Sequence, residues 1–156
     1  MLKRKIILLF LFLLSSCGYE AIHSKKNSSN YIFSVSELSF VGEKIINQKI
    51  KQKLNNYTRN KKDKDFILRI SSSSEKIILA RNVAGDATSF KNTVSINIKV
   101  LMNNKFENNF IITESFNYNN ISNKFNLKKY EAEIKNNLAD AATDKLIFKL
   151  SNIQWY

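Results

Sequence analysis

Val94-Ser95-Ile96-Asn97-Ile98-Lys99-Val100-Leu101-Met102 is the stretch whose reading decides the fold. Val94, Ile96, Ile98, Val100 and Met102 share one parity, while Ser95, Asn97 and Lys99 share the other. Successive side chains of a strand point to opposite faces, so this period of two predicts a strand that is apolar on one face and polar on the other. Val94, Ile96 and Ile98 should be buried together. Such a strand needs a covering layer on its apolar face.

Outward from it, Asn103-Asn104 is a tight-turn signal, because Asn tolerates positive φ. Phe106, Phe110, Ile112, Phe116 and Tyr118 continue as the next strand. Glu114 has the same parity as those apolar residues, and nothing in the local pattern accounts for it. Upstream, Arg81 to Ser89 contains Gly85 and Asp86 and reads as a hairpin connection. Phe66, Leu68 and Ile70 mark the buried face of the preceding strand. After Ser71–Ser74 the apolar parity moves to Ile77 and Leu79, which predicts a β-bulge or a break in the serine run.

Helical periodicity flanks these strands. Tyr31 to Leu38 alternates as a first strand, and Gly42 ends it. From Glu43 to Tyr57, Ile46, Ile50, Leu54 and Tyr57 recur on one helical face. Asn60 to Lys64 is a charged loop. Asn117 to Asn126 is an Asn-rich loop, with Asn126 as the expected N-cap. Leu127, Tyr130, Ile134, Leu138, Ala141 and Phe148 then form a helical stripe, widened by Ala142 and Leu146. Lys145 lands inside that stripe, so its stem should lie along the core with its ammonium in water. The element order β-α-β-β-β-α predicts an α+β fold of two layers, with two helices packed on one face of a four-stranded mixed sheet.

The first residues carry a different signal. Lys3, Arg4 and Lys5 precede an unbroken apolar run from Ile6 to Leu14, followed by Ser15-Ser16-Cys17. A cationic start, a short apolar run and small residues at a cleavage point define a secretory signal. The run falls far short of the ~20 residues of a spanning helix. Leu14-Ser15-Ser16-Cys17 is similar to a bacterial lipobox, which makes Cys17 the acylated N-terminus of the mature chain; several acyl chains give stable anchoring. Cys17 is the single cysteine, so no disulfide is expected. The expected organisation is a lipoprotein signal peptide over 1–16, the acylated cysteine with a flexible tether over 17–30, and one domain over 31–156. Gly18 stands where lipoproteins held at the inner membrane commonly carry Asp, so the expected location is the periplasmic face of the outer membrane.

The formal charge is +12, of which Lys3, Arg4 and Lys5 supply three. A basic balance points to an anionic partner. Heavy use of Lys, Asn and Ile with no Pro offers a purely compositional account of the same charge. Export argues against nucleic acid. The one histidine, His23, lies in the tether, so no Ser-His-Asp or Cys-His arrangement is available. The three glycines make no phosphate-binding loop, and no metal-ligand spacing occurs. The chain therefore reads as a binding or structural protein, not an enzyme, with no cofactor and no metal.

Three features make the chain resemble the alphaproteobacterial version of the LPS-assembly lipoprotein family LptE. They are Cys17-Gly18-Tyr19, the segment Ser115-Phe116-Asn117-Tyr118-Asn119, and a C-terminal helix with Tyr130-Glu131, Leu138-Ala139-Asp140-Ala141-Ala142 and Leu146. Ala21, where relatives often carry proline, departs from the pattern. The resemblance implies two helices on a four-stranded mixed sheet, and a non-catalytic role as plug and assembly aid of the outer-membrane β-barrel LptD during insertion of lipopolysaccharide. It also implies basic residues for lipopolysaccharide at positions matching Arg81, Lys124, Lys128 and Lys129. Two other roles fit the same residues: an adaptor lipoprotein of another envelope lipid-transport complex, or a free periplasmic lipid-binding module.

Overall fold

The structure is a computed structural model that describes residues 32–102 and 106–153. Cys17, the signal, the tether, Tyr31 and the Asn103-Asn104 turn lie outside the described residues. The elements are β1 (Ser34–Gly42), α1 (Lys44–Leu54), β2 (Asp65–Arg81), β3 (Ala87–Met102), β4 (Phe106–Asn119) and α2 (Lys124–Asn152). They form a four-stranded sheet in the order β1-β2-β3-β4. β1 runs parallel to β2, and β2, β3 and β4 form an antiparallel meander. The parallel pair requires the crossover that α1 provides. This is the α+β, two-layer fold expected from the alternation patterns.

One cluster joins both layers. Phe66, Leu68, Val94, Ile96, Ile98 and Val100 point inward from β2 and β3 and are wholly buried. Ile46, Ile50 and Leu54 of α1 and Ala142, Leu146 and Leu150 of α2 close over them. α1 lies over β1 and β2, and α2 lies over β3 and β4. Lys53 ties the helices together, reaching Asp140 at 3.0 Å and Asp144 at 2.7 Å.

Several boundaries differ from the sequence expectation, each for a local reason. β1 begins at Ser34 rather than Tyr31 and extends to Gly42. A bulge at Ser36 lets β1 keep its apolar side inward, so Val35 faces Phe66 and Leu38 faces Leu68. At Gly42 the chain adopts φ +97° beside Ser72, whose carbonyl oxygen would lie 1.9 Å from a Cβ. The helix Glu43–Tyr57 is α-helical only over Lys44–Leu54, and Asn55–Tyr57 tighten into a 3-10 turn. That turn brings Tyr57 onto Phe33, with ring centroids 4.6 Å apart.

The serine run contains neither bulge nor break. Pairing of β2 with β3 is continuous from Phe66 to Ile78, and the register shifts lie nearer the turn, between Ile78 and Arg81. The serines receive the start of α1. Buried Ser72 donates to Asn47 Oδ1 at 2.7 Å, and Ser74 donates to Glu43 Oε1 at 2.5 Å. Apolar parity stops because the inward positions there meet a helix terminus.

α2 starts one turn earlier than expected. Asn123 is the cap in place of Asn126, and its Oδ1 accepts from Phe125 N at 3.0 Å and Asn126 N at 3.1 Å. The buried face is also different. Phe148 is 70% exposed. Leu127, Ile134, Ala141 and Phe148 are spaced by seven, and such a series turns by ~20° per repeat on a straight helix. The buried set winds the other way through Ile134, Leu138, Ala142, Leu146 and Leu150, spaced by four. Lys145 therefore lies at the rim of the interface and not along the core, and its ammonium meets the Glu114 carboxylate. Glu114 is the acid at an apolar parity. Its Oε1 is buried, and the contact is an ion pair without the alignment of a hydrogen bond. Two residues that each look misplaced on their own element are partners across the layers.

Candidate functional site

β2 and β3 outrun the helices. At the distal end of the hairpin, Ile77, Ile78 and Leu79 are 43–46% exposed, and being consecutive they occupy both faces of the ribbon. The turn that follows is Asn82–Asp86, shorter than the Arg81–Ser89 connection expected. Asn82 N donates to Asp86 O at 2.9 Å, Asp86 N donates to Asn82 Oδ1 at 2.8 Å, and Gly85 supplies a positive φ of 89°. Val83 stands fully exposed at its apex. Arg81 Nη1 donates to Gly85 O at 2.7 Å, so one nitrogen of the guanidinium clasps the turn. Arg81 is exposed, and a guanidinium has five N–H donors, more than this one contact uses.

The same end of the sheet carries the start of α2, because Ser89 pairs with Asn119 and α2 begins five residues later at Lys124. Phe116 (47%) and Phe125 (75%) are exposed there. Lys124, Lys128 and Lys129 occupy the first two turns of α2. Cations at a helix N-terminus oppose the helix dipole, so this placement favours an anionic neighbour.

Beside them a cleft of about 360 Å³ opens between β2, β3 and the two helices, lined by Ser74, Lys76, Asn92, Lys128, Glu131 and Lys135 among others. Lys135 reaches Glu43 Oε2 at 2.9 Å, and Lys76 pairs with Glu131. The Lys135 hydrogen bond and then the Ser74 hydroxyl hold the Glu43 carboxyl below its ordinary range. Tyr118 donates to Glu131 Oε1 at 2.9 Å, and its hydroxyl is pushed well above its ordinary range, by burial first and then by Glu131. Lys76 also sits 4.0 Å above the Phe90 ring. The cleft thus holds three lysines against one glutamate, with Glu43 behind Lys135. Lys128 has no ion pair among the described residues.

Of the four sequence candidates, the cleft takes only Lys128; Arg81, Lys124 and Lys129 do not line it. Sequence reading missed Lys76 and Lys135. Lys135 was within reach, because it lies seven residues after Lys128, two helical turns along one side. Lys76 was hidden by the assumption of a break in the serine run.

The outer face of the sheet is different in character. Ser71, Ser73, Ser95, Asn97, Asn109 and Thr113 make most of it polar, with Val41 and Ile111 exposed among them and Arg69 and Lys99 in a shallow groove of about 400 Å³. Among the described residues no group of three His, Cys, Asp or Glu could hold a metal ion, and no helix is long and apolar enough to cross a membrane.

No protein-family model matches the chain, and no curated protein matches it. Solved structures do. Rare lipoprotein B from Shewanella oneidensis superposes with a TM-score of 0.58 at 16% identity, over 74% of this chain and 93% of that one. A minor lipoprotein from Acinetobacter baumannii gives 0.56 at 11% identity, over 76% and 92%. Lipoprotein B from Nitrosomonas europaea, described as uncharacterized, gives 0.54 at 14% identity, over 76% and 83%. At these identities the likeness is one of fold: the chain has the two-helix, four-stranded architecture of these lipoproteins.

Proposed function

We propose that the chain is an outer-membrane lipoprotein, anchored through Cys17, that plugs and helps assemble an LptD-like β-barrel and assists insertion of lipopolysaccharide into the outer leaflet. The observation that carries this reading is the hairpin end, where exposed Ile77, Ile78, Leu79 and Val83 stand beside Arg81 and the lysines of α2. Lipid A is an anionic amphiphile, and apolar side chains next to cations suit both of its parts. Arg81 keeps donors free for a phosphate after clasping its own turn. The polar outer sheet face suits the polar lumen of a barrel, and the three lipoproteins of like fold support an anchored protein. A free carrier would need room for an acyl chain between sheet and helices, where Ile46, Ile96, Ile98 and Leu146 are wholly buried against one another. The test is isolation of the tagged lipoprotein from detergent-solubilised membranes. A co-purifying large β-barrel is the expected result, and an inner-membrane ATPase complex in its place overturns the reading in favour of the adaptor.

A further inference from the structure

We propose that the free edge of β4 takes up an extended segment of another polypeptide as a fifth strand. β4 pairs with β3 along one side, and among the described residues nothing pairs with its other side. Alternate residues of an edge strand direct both N–H and C=O away from the sheet, and an extended backbone is the chemistry that satisfies such a row.

Edge strands normally carry devices against pairing: bulges, lysines, prolines or short length. β1, the other edge, has nine residues and a bulge at Ser36. β4 has fourteen residues, a continuous register from Phe106 to Asn119, and no Lys, Arg or Pro. Its two carboxylates give no free charge, because Glu107 pairs with Lys99 at 2.5 Å and Glu114 pairs with Lys145.

The surroundings of the edge are built for side chains as well as backbone. Ile111 (65% exposed) on the outer face and Phe116 (47% exposed) on the helix face await cross-strand neighbours. Between β4 and α2 lies a pocket of about 230 Å³, lined by Phe116, Tyr130, Glu133, Ile134, Asn137 and Leu138. A groove between a strand edge and a helix, with an apolar floor, accepts alternate side chains of an added strand. The formal charge of +12, or +9 without Lys3, Arg4 and Lys5 of the signal, opposes a second copy of the chain and favours an acidic partner. The occupant is accordingly an extended segment that is apolar where it crosses Phe116 and acidic on balance. This inference does not depend on the barrel reading.

The experiment uses the full-length lipoprotein in detergent and a ten-residue synthetic peptide of alternating Val and Glu as probe. Amide hydrogen exchange should slow about tenfold or more at alternate residues of β4, with β2 unchanged. The same peptide N-methylated on one set of alternate amides should bind at least tenfold more weakly. Phe116→Ser and, from the helix side, Asn137→Trp should each weaken binding about tenfold while the β3 amides stay protected. No slowing in β4, or equal binding of the N-methylated peptide, overturns the proposal. So does protection of the outward-facing β4 amides without peptide, whether it disappears on deleting residues 18–31, which makes the occupant the chain's own segment, or rises with protein concentration, which makes it a second copy.

Discussion

The two halves of the β2–β3 hairpin share strands, register and twist, yet they behave as different materials. In the proximal half, Phe66, Leu68, Ile96, Ile98 and Val100 are wholly buried under two helices. In the distal half, Ile77, Ile78 and Leu79 are as apolar but nearly half exposed. Composition does not separate the halves. The presence of a helical layer does. Apolar residues stabilise a sheet in proportion to the area they remove from water, so the distal isoleucines contribute little to folding and remain available to a ligand.

The comparison breaks most visibly through single truncations. Ile96→Ala should cost about 2–5 kcal/mol, read from urea unfolding, because the packed layers cannot collapse into the space left. Lys145→Ala comes next: it leaves the part-buried Glu114 carboxylate without its cation and should cost about 1–2 kcal/mol. Replacing both residues by Leu should recover most of that loss, and failure to recover would show that the loss does not come from the unpaired Glu114 carboxylate.

Acid should act at the junction between the halves, where Glu43 meets Ser74 and Lys135. The Glu43 carboxyl is held below its ordinary value of 4.5, so its contribution is present above that pH and is lost as pH falls through the lower folded value. Glu43 is partly exposed, so the effect is small, under ~1 kcal/mol. Urea midpoints at pH 6 and pH 3 should fall more for the native protein than for Glu43→Gln, and equal falls would remove Glu43 from the acid response. The smallest stability effect belongs to the tip. Ile78→Ala should change stability by less than ~0.5 kcal/mol. Arg81→Asp combined with Lys128→Asp should lower lipopolysaccharide affinity at low salt, with circular dichroism unchanged. Unchanged affinity in that folded double variant would leave the basic charge a matter of composition.

The same contrast explains what could be read without coordinates. Parity revealed the sheet wherever a layer covers it, and β2 to β4 followed from Phe66, Val94 and Ile112 with their neighbours. It misled at Ser71–Ser74, where the inward positions meet the start of α1, and at Ile77–Leu79, where no layer exists and parity carries no information. The spacing of α2 was legible near Ile134 and Leu138 but not near Phe148, because the face it buries turns along a 29-residue helix. Arg81 and the lysines of α2 could be named from their chain positions. The joining of Lys128 with Lys76 and Lys135 depends on distances across the fold that no local pattern records. Glu114 and Lys145 hold the more general lesson: two polar residues at apolar positions on elements that pack together are candidates for one another.

The length of β2 sets a distance. Ser34, where the chain enters the sheet, pairs with Asp65, and the turn begins after Arg81 at the far end of the same strand. Seventeen residues at ~3.3 Å each separate these points by roughly 55 Å. That exceeds the ~30 Å hydrocarbon thickness of a bilayer. The hairpin is a boom: it carries its exposed tip that far from the point where the chain enters the sheet. Deleting two residues from each distal strand preserves parity and shortens the reach by roughly 7 Å, so the boom can be trimmed without disturbing the hull that supports it.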